Sequence, residues 1–354
     1  AIGTSMEPIV FTALDERDFG PLTLNDTSLW GGLVILGRAI LNDPGNPFLG
    51  GNTLNEREIE GFPSGGNTAL ITYGGLDDTD DSGTLRFVSI RYGGFKYAAD
   101  NEINGLTLGA VGSGTDISFV EVFNNSDDGI EFFGGTVDTK YMAMAFNEDE
   151  SFDIDEGYRG RGQFWFAIQK NGGPAGPNQT TGSNYGGEHD GGNGDDKTLE
   201  PFARAKVFNA TFIGAGADGG SQVMKFRENT GGIYANSIFT GFEKGVDVDT
   251  GGKDGATIES GQDSEARFTA GDLALKANIY HDIAGASDIA GIVAIGDSDG
   301  VNADFKSNFT SALTSAGSTF EDPQLAGISL SLIHISEPTR PERIGGWGVW
   351  GEKK

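Results

Sequence analysis

Between Gly105 and Asn171 the chain passes three times through one pattern, and this repeat constrains the fold more than any single residue. The segments NGLTLGAVGSGTDISFVEVFNN, SDDGIEFFGGTVDTKYMAMAFNE and SFDIDEGYRGRGQFWFAIQKN each carry a short apolar stretch, a Gly-rich turn, a second β-rich stretch and an Asn. Asn124, Asn147 and Asn171 mark one phase, 23 and 24 residues apart, and the first strands keep step: Leu106 to Ile130 is 24, Ile130 to Phe152 is 22. A period near 23 fits one coil of a parallel β-solenoid, in which each coil buries its apolar side only by stacking on the next. The crossover preference of parallel strands makes that coil right-handed.

A solenoid core grows along one axis, so 354 residues do not force two domains. The 58 glycines lack a triplet period and read as turns between many short strands, and 24 Phe residues can fill a long core. A formal charge of -28 argues against nucleic acid and anionic membrane surfaces as partners and favours bound cations. No run approaches a membrane span, and the absence of cysteine fits an exported bacterial protein without disulfides. Ala1 opens directly into the strand-like EPIVFTA, which points to a chain processed or truncated upstream.

The sequence predicts a single β-helix domain over 1–329, with coils of about 22–27 residues. WGGLVILG reads as a strand buried on both sides, and the coil resumes with GTLRFVSIRYGG. Long loops are expected near 42–82 and 171–201, the second being Gly-rich and of low complexity. NATFIG and NSIFTG recur 27 apart, so the period loosens in the second half. From Ser264 to about Leu313 the composition suits a helix and a hairpin, the latter around KANIYHDI. Residues 330–354 form a tail whose segment LSLIHISEPTR resembles the in-frame translation of a sequencing adapter, an assembly artefact of environmental sequence data.

Stacking SDDGIEFF on EDESFDID sets Asp127 near Asp149, Asp128 near Glu150 and Glu131 near Asp153, with Asp155 at the end of the second strand. Adjacent coils lie about 4.8 Å apart. Two carboxylates at that distance repel by roughly 3 kcal/mol at an effective dielectric of 20. Such a ladder needs a cation, protonation, or side chains splayed into water. Ca2+ is the natural cation, since it accepts six to eight oxygens in flexible geometry. LDDTDDSG, with Asp77, Asp78, Asp80 and Asp81, is a second candidate without the full spacing of an EF-hand loop. GVDVDTGG, with Asp247 and Asp249, is a third. His189 reads either as a metal ligand with Glu188 and Asp190 or as a solvated loop residue. Phe132/Phe133 and Trp165/Phe166 should point alternately into the core and outward.

The ordered series WGGLVILG, EIEGF, YGGLDDTDDSGTLRFVSIRYGG, NEINGLTLGAVGSGT, DDGIEFFGGTVDTKY, EHDG and NATFIGAG resembles a family of large secreted bacterial surface proteins. These hypothetical proteins or lipoproteins are understood as right-handed parallel β-helices. The resemblance implies that fold and an extracellular or cell-surface location, but no agreed activity. Members carry a further N-terminal coil before the PIVFT strand, so the first coil here is expected to have an open end.

Three functional expectations follow. The first is a calcium-stabilised structural subunit that joins copies of itself into a filament or surface assembly, head-to-tail or by strand addition. The second is a monomeric module that binds polysaccharide through its long Gly-rich loop. The third is a calcium-dependent polysaccharide lyase or hydrolase, since parallel β-helices include such enzymes; it groups Asp153 and Asp155, holding metal, with Arg159 and Arg161 as bases. Fold alone does not choose among them.

Overall fold

The computed structural model describes residues 1–42, 55–62, 68–97, 103–170, 185–192, 198–250, 263–294 and 303–325. Two parallel sheets wind along one axis. Sheet B stacks Leu33–Leu36, Leu106–Gly109, Ile130–Phe133, Phe152–Asp155, Tyr185–Asp190, Gln222–Arg227, Lys244–Val248 and Val293–Ala294 in that order. Sheet A begins with Ile9–Phe11, Thr84–Arg91, Asp116–Phe123, Thr139–Ala145 and Arg161–Ile168. Leu106 faces Ile130, and Ile130 faces Phe152, so the strand repeats of 24 and 22 residues are the coil registers. The Asn phase is one residue off: Phe123 faces Ala145, and the Asn147 side chain accepts from the amide of Asn125, not of Asn124. Asn171 lies outside the described residues.

Each long strand of sheet A is interrupted by one residue in the left-handed region. Phe87, Phe119, Tyr141 and Phe164 occupy this column with φ of 49°, 58°, 58° and 56°, and their rings stack at 4.5, 4.4 and 5.0 Å. An L-residue there costs about 1–2 kcal/mol, and each ring pair returns about 0.5–1.5 kcal/mol. In later coils the same column holds Asn209 and Asn236, 27 apart, with the Asn236 amide donating to the Asn209 carbonyl oxygen. There the strand is split outright, into Lys206–Phe208 and Thr211–Ile213, then Gly232–Ala235 and Ile238–Phe242. The solenoid thus has three faces, sheet B and the two limbs of sheet A. Turns between faces use positive-φ glycines, as at Gly134 and Gly135 (67° and 81°) after Phe133.

The core runs the length of the axis. Phe132 stacks on Tyr158 at 4.3 Å, Trp165 on Phe152 at 4.2 Å, and Phe212 lies 5.3 Å from Phe152. Phe132 and Trp165 point inward as expected, whereas Phe133 and Phe166 point outward into separate buried clusters. Phe133 is covered by Tyr73, from an antiparallel pair Glu56–Glu58 and Thr72–Gly74 within the 42–82 excursion.

Three expectations need correction. Leu33–Leu36 is only half-buried, because among the described residues it pairs on one side alone, with Leu106–Gly109. The 171–201 stretch is not simply a loop: Tyr185–Asp190 is a central strand of sheet B with His189 fully buried. KANIYHDI forms parallel coil strands, Leu273–Lys276 and Ile279–Ile283, instead of a hairpin. The predicted helix of that region is Ser264–Ala270, with Ala303–Ser315 as the longest. Phe305, Phe309 and Leu313 of that last helix enter the core and cover its C-terminal end. The adapter-like segment and the tail 330–354 lie outside the described residues.

Candidate metal and polysaccharide site

Alternation along the strands of sheet B sends every second side chain away from the core. In Phe152–Asp155 the inward residues are Phe152 and Ile154, which leaves Asp153 and Asp155 on the outer face. The coil register then aligns Thr107, Glu131, Asp153, Glu188, Lys225 and Asp247 in one outer column. Asp190 and Arg227 are paired in the column beside it. Beyond the start of the strands, Asp128 accepts from the amide of Glu150 at 2.9 Å, one coil on. Glu131, Glu188, Asp128 and Glu150 are all buried.

Three groups of carboxylates have ligand oxygens within 4.8 Å of one another: Asp128, Asp149 and Glu150; Asp128, Glu131 and Asp153; Glu150, Asp153 and Glu188. Asp127 and Asp155 border these groups and raise the charge density, Asp127 acting on Asp128. Burial, then neighbouring negative charge, pushes Asp128, Glu131, Glu150, Asp153 and Asp155 well above the usual carboxylate range. Glu188 is pushed up to about 8, first by burial and then by Asp190. Oδ1 of Asp153 and Oε1 of Glu188 are buried and have no hydrogen-bond partner. Buried polar atoms are nearly always satisfied, so the donor set fits a cation. Ca2+ accepts six to eight oxygens in flexible geometry, which suits a set of carboxylates gathered in this way.

In the C-terminal half of the groove the cation belongs to the chain. Lys225 Nζ lies 2.6 Å from Asp247 and 3.0 Å from Asp249, and all three side chains are buried. Arg227 is held by Asp190 through Nε and Nη2 at 2.5 and 2.8 Å, and lies 3.3 Å from Glu188. Its side chain remains 40% exposed. Asp247 and Asp249 are thus partners of a lysine, and no metal group forms on them among the described residues.

The second candidate is not gathered either. Asp77 accepts from Thr79, Asp80 from Ser82 and Asp81 from the amide of Gly83, all within their own turn, while Asp78 takes the amide of Ile40 and Arg159. Arg159 is therefore engaged outside the groove, and Arg161, on sheet A, is bound by Asp138. His189 points into the core, its Nε2 2.9 Å from the Tyr234 hydroxyl, and burial lowers its pKa to about 3. Its neighbours Glu188 and Asp190 face the groove without it.

Sequence reasoning named Glu188 only as a ligand beside His189 in a loop, and missed Lys225 and Arg227 as groove residues. Their signal is the shared charged–apolar–charged triplet in EHD, KFR and DVD. The separations hide it: Asp153 faces Glu188 at 35 residues and Glu188 faces Lys225 at 37, before Asp247 restores 22.

An all-β parallel solenoid with an acidic outer groove on one sheet is the class these features define. The chain belongs to the pectate-lyase-like β-helix domain family, whose model matches residues 1–322. Neither the curated proteins nor the solved structures yield a match. No helix among the described residues is long and apolar enough to cross a membrane.

Proposed function

We propose that this chain is an extracellular polysaccharide-acting protein that holds an acidic glycan against the outer groove of sheet B through calcium. The observation that carries this is the run of buried carboxylates with unpartnered oxygens, ending at the half-exposed Arg227. Asp128, Glu131, Glu150, Asp153 and Glu188 would hold the metal. Bound there, the ion supplies positive charge that draws a sugar carboxylate and acidifies the carbon beside it. Arg227, fixed by Asp190 and Glu188, offers its guanidinium to a second anionic group of the glycan. A chain of net charge -28 repels a polyanion, so binding should depend on the cation. Screening uronate polymers for binding, and for new unsaturated or reducing ends, with calcium and after chelation tests this. Calcium-dependent binding is expected; indifference of every uronate polymer in calcium would end the proposal.

The binding module of the second expectation would use residues 172–198, but deleting them removes the core strand Tyr185–Asp190. Groove substitutions are the cleaner test.

The filament reading is the alternative proposal. Ile9–Phe11 and Leu33–Leu36 each pair on one side only among the described residues, beside exposed Ile2, Met6, Leu14 and Phe19. At the other end Ala303–Ser315 covers the core, so a head-to-tail joint would meet a helix. Strand addition between copies is the form of assembly that this alternative proposes. Electron microscopy with calcium and with chelator tests it: filaments are expected, and isolated rods in both media would refute it.

A further inference from the structure

The three carboxylate groups of the groove are not separate. Asp153 belongs both to the group with Asp128 and Glu131 and to the group with Glu150 and Glu188. Its Oδ1 is unpartnered, and so is Oε1 of Glu188, a side chain more than nine-tenths buried. On the other side Asn104, 1% exposed, donates its Nδ2 to Glu131 and leaves its own Oδ1 buried without a partner. Unsatisfied oxygens therefore flank Asp153 on both sides along the solenoid axis.

The charges give the same reading. Asp128, Glu131, Glu150, Asp153 and Glu188 are five carboxylates, and among the described residues the side-chain cation paired with any of them is Arg227, on Glu188. One divalent ion leaves such a set strongly negative, and a second offsets most of the remaining charge, since Arg227 is shared with Asp190. In the lysine half of the same groove the chain supplies its own cation, and Oδ1 of Asp247 is also buried without a hydrogen-bond partner. There a single ammonium lies within 3.0 Å of both Asp247 and Asp249.

We propose that the groove binds two calcium ions bridged by Asp153, one with Glu150 and Glu188 and the other with Asp128 and Glu131. Asn104 serves the second ion through its amide oxygen. This rests on the metal part of the function proposed above and adds its stoichiometry and the role of each ligand. A bridging carboxylate couples the two sites: filling one fixes Asp153 for the other, so the ions bind cooperatively.

Equilibrium dialysis of the chelated full chain against radiolabelled calcium, with native mass spectrometry as a second count, tests the assignment. Two tight ions per chain are expected. Glu131→Gln and Glu188→Gln should each bind one, their double variant none, and Asp153→Asn none at a concentration that saturates the parent. These isosteric changes relieve buried repulsion, and circular dichroism confirms that each variant retains the fold. A single tight ion in the parent would overturn the bridged pair while leaving calcium in the proposed function. So would a double variant that binds as much as either single one. No tight ion at all would overturn the pair and the metal reading together. Binding of uronate polymers measured in calcium reports separately on whether the groove acts on polysaccharide.

Discussion

Lys225 is a buried cation of the groove, within 3.0 Å of both Asp247 and Asp249. Removing one partner of a buried ion pair leaves an uncompensated charge, at about 3–5 kcal/mol. Lys225→Met leaves Asp247 and Asp249 facing each other without a cation. Urea unfolding in chelator should show a loss of that size, and calcium should restore part of it by entering the vacated position. A neutral effect in chelator would mean that the pair is solvated. The acidic half yields a prediction about pH. Carboxylates whose folded pKa is raised bind more protons in the fold than in the unfolded chain, so metal-free stability falls as pH rises towards about 8, the value for Glu188. His189 acts in the opposite sense. Its folded value of about 3 lies below the ordinary 6.5, so its contribution is lost only as pH falls below 6.5 and is complete above it. Between pH 6.5 and 8 Glu188 titrates without His189. The Tm in chelator should drop across that interval and calcium should abolish the drop; a flat profile in chelator would show the groove to be hydrated.

Among the elements, the sheet A strands carry two opposed demands at one position. The column of Phe87, Phe119, Tyr141 and Phe164 needs the left-handed region, and its rings repay that cost by stacking. Tyr141→Asn keeps a side chain that tolerates this backbone, while Tyr141→Val puts a β-branched residue where it is most strained. Thermal unfolding should rank the parent above Asn and Asn well above Val; equal losses would mean that stacking alone matters. Inside the coil, Trp165→Ala should cost about 3–5 kcal/mol, because its ring lies against both Phe152 and Phe132. The three clear coils were legible in the sequence because their strands repeat at 24 and 22 residues without insertion. That is also why the pairing of Glu131 with Asp153 could be read directly. Tyr185–Asp190 was not legible: its glycines suit a loop as well as a strand, and only the register shows that EHD continues the acidic column. Arg159 and Arg161 were misplaced for a related reason, since sequence proximity to Asp155 does not reveal that the chain turns the corner between them.

For the molecule as a whole, the two ends differ. A helix bearing Phe305, Phe309 and Leu313 covers the C-terminal end of the core, and Phe268 packs edge-on against Phe305 and Phe309. Solenoid stability passes from coil to coil, so the loss of a cap should be felt locally first. In Phe309→Ala, hydrogen exchange should speed up in Leu273–Lys276 and Ile279–Ile283 before it does in Ile130–Phe133; uniform acceleration would show one cooperative unit. The register of 22 residues between Ile130 and Phe152 has a different consequence. That coil carries its own inward aromatic, its own turn and its own carboxylates, and it pairs in parallel with a strand above and below. Tandem duplication of such a segment would lengthen the rod by one layer, about 4.8 Å, and add one rung to the groove without disturbing either end. The ion capacity of this architecture is thus set by a count of layers, a quantity that recombination can change in a single step.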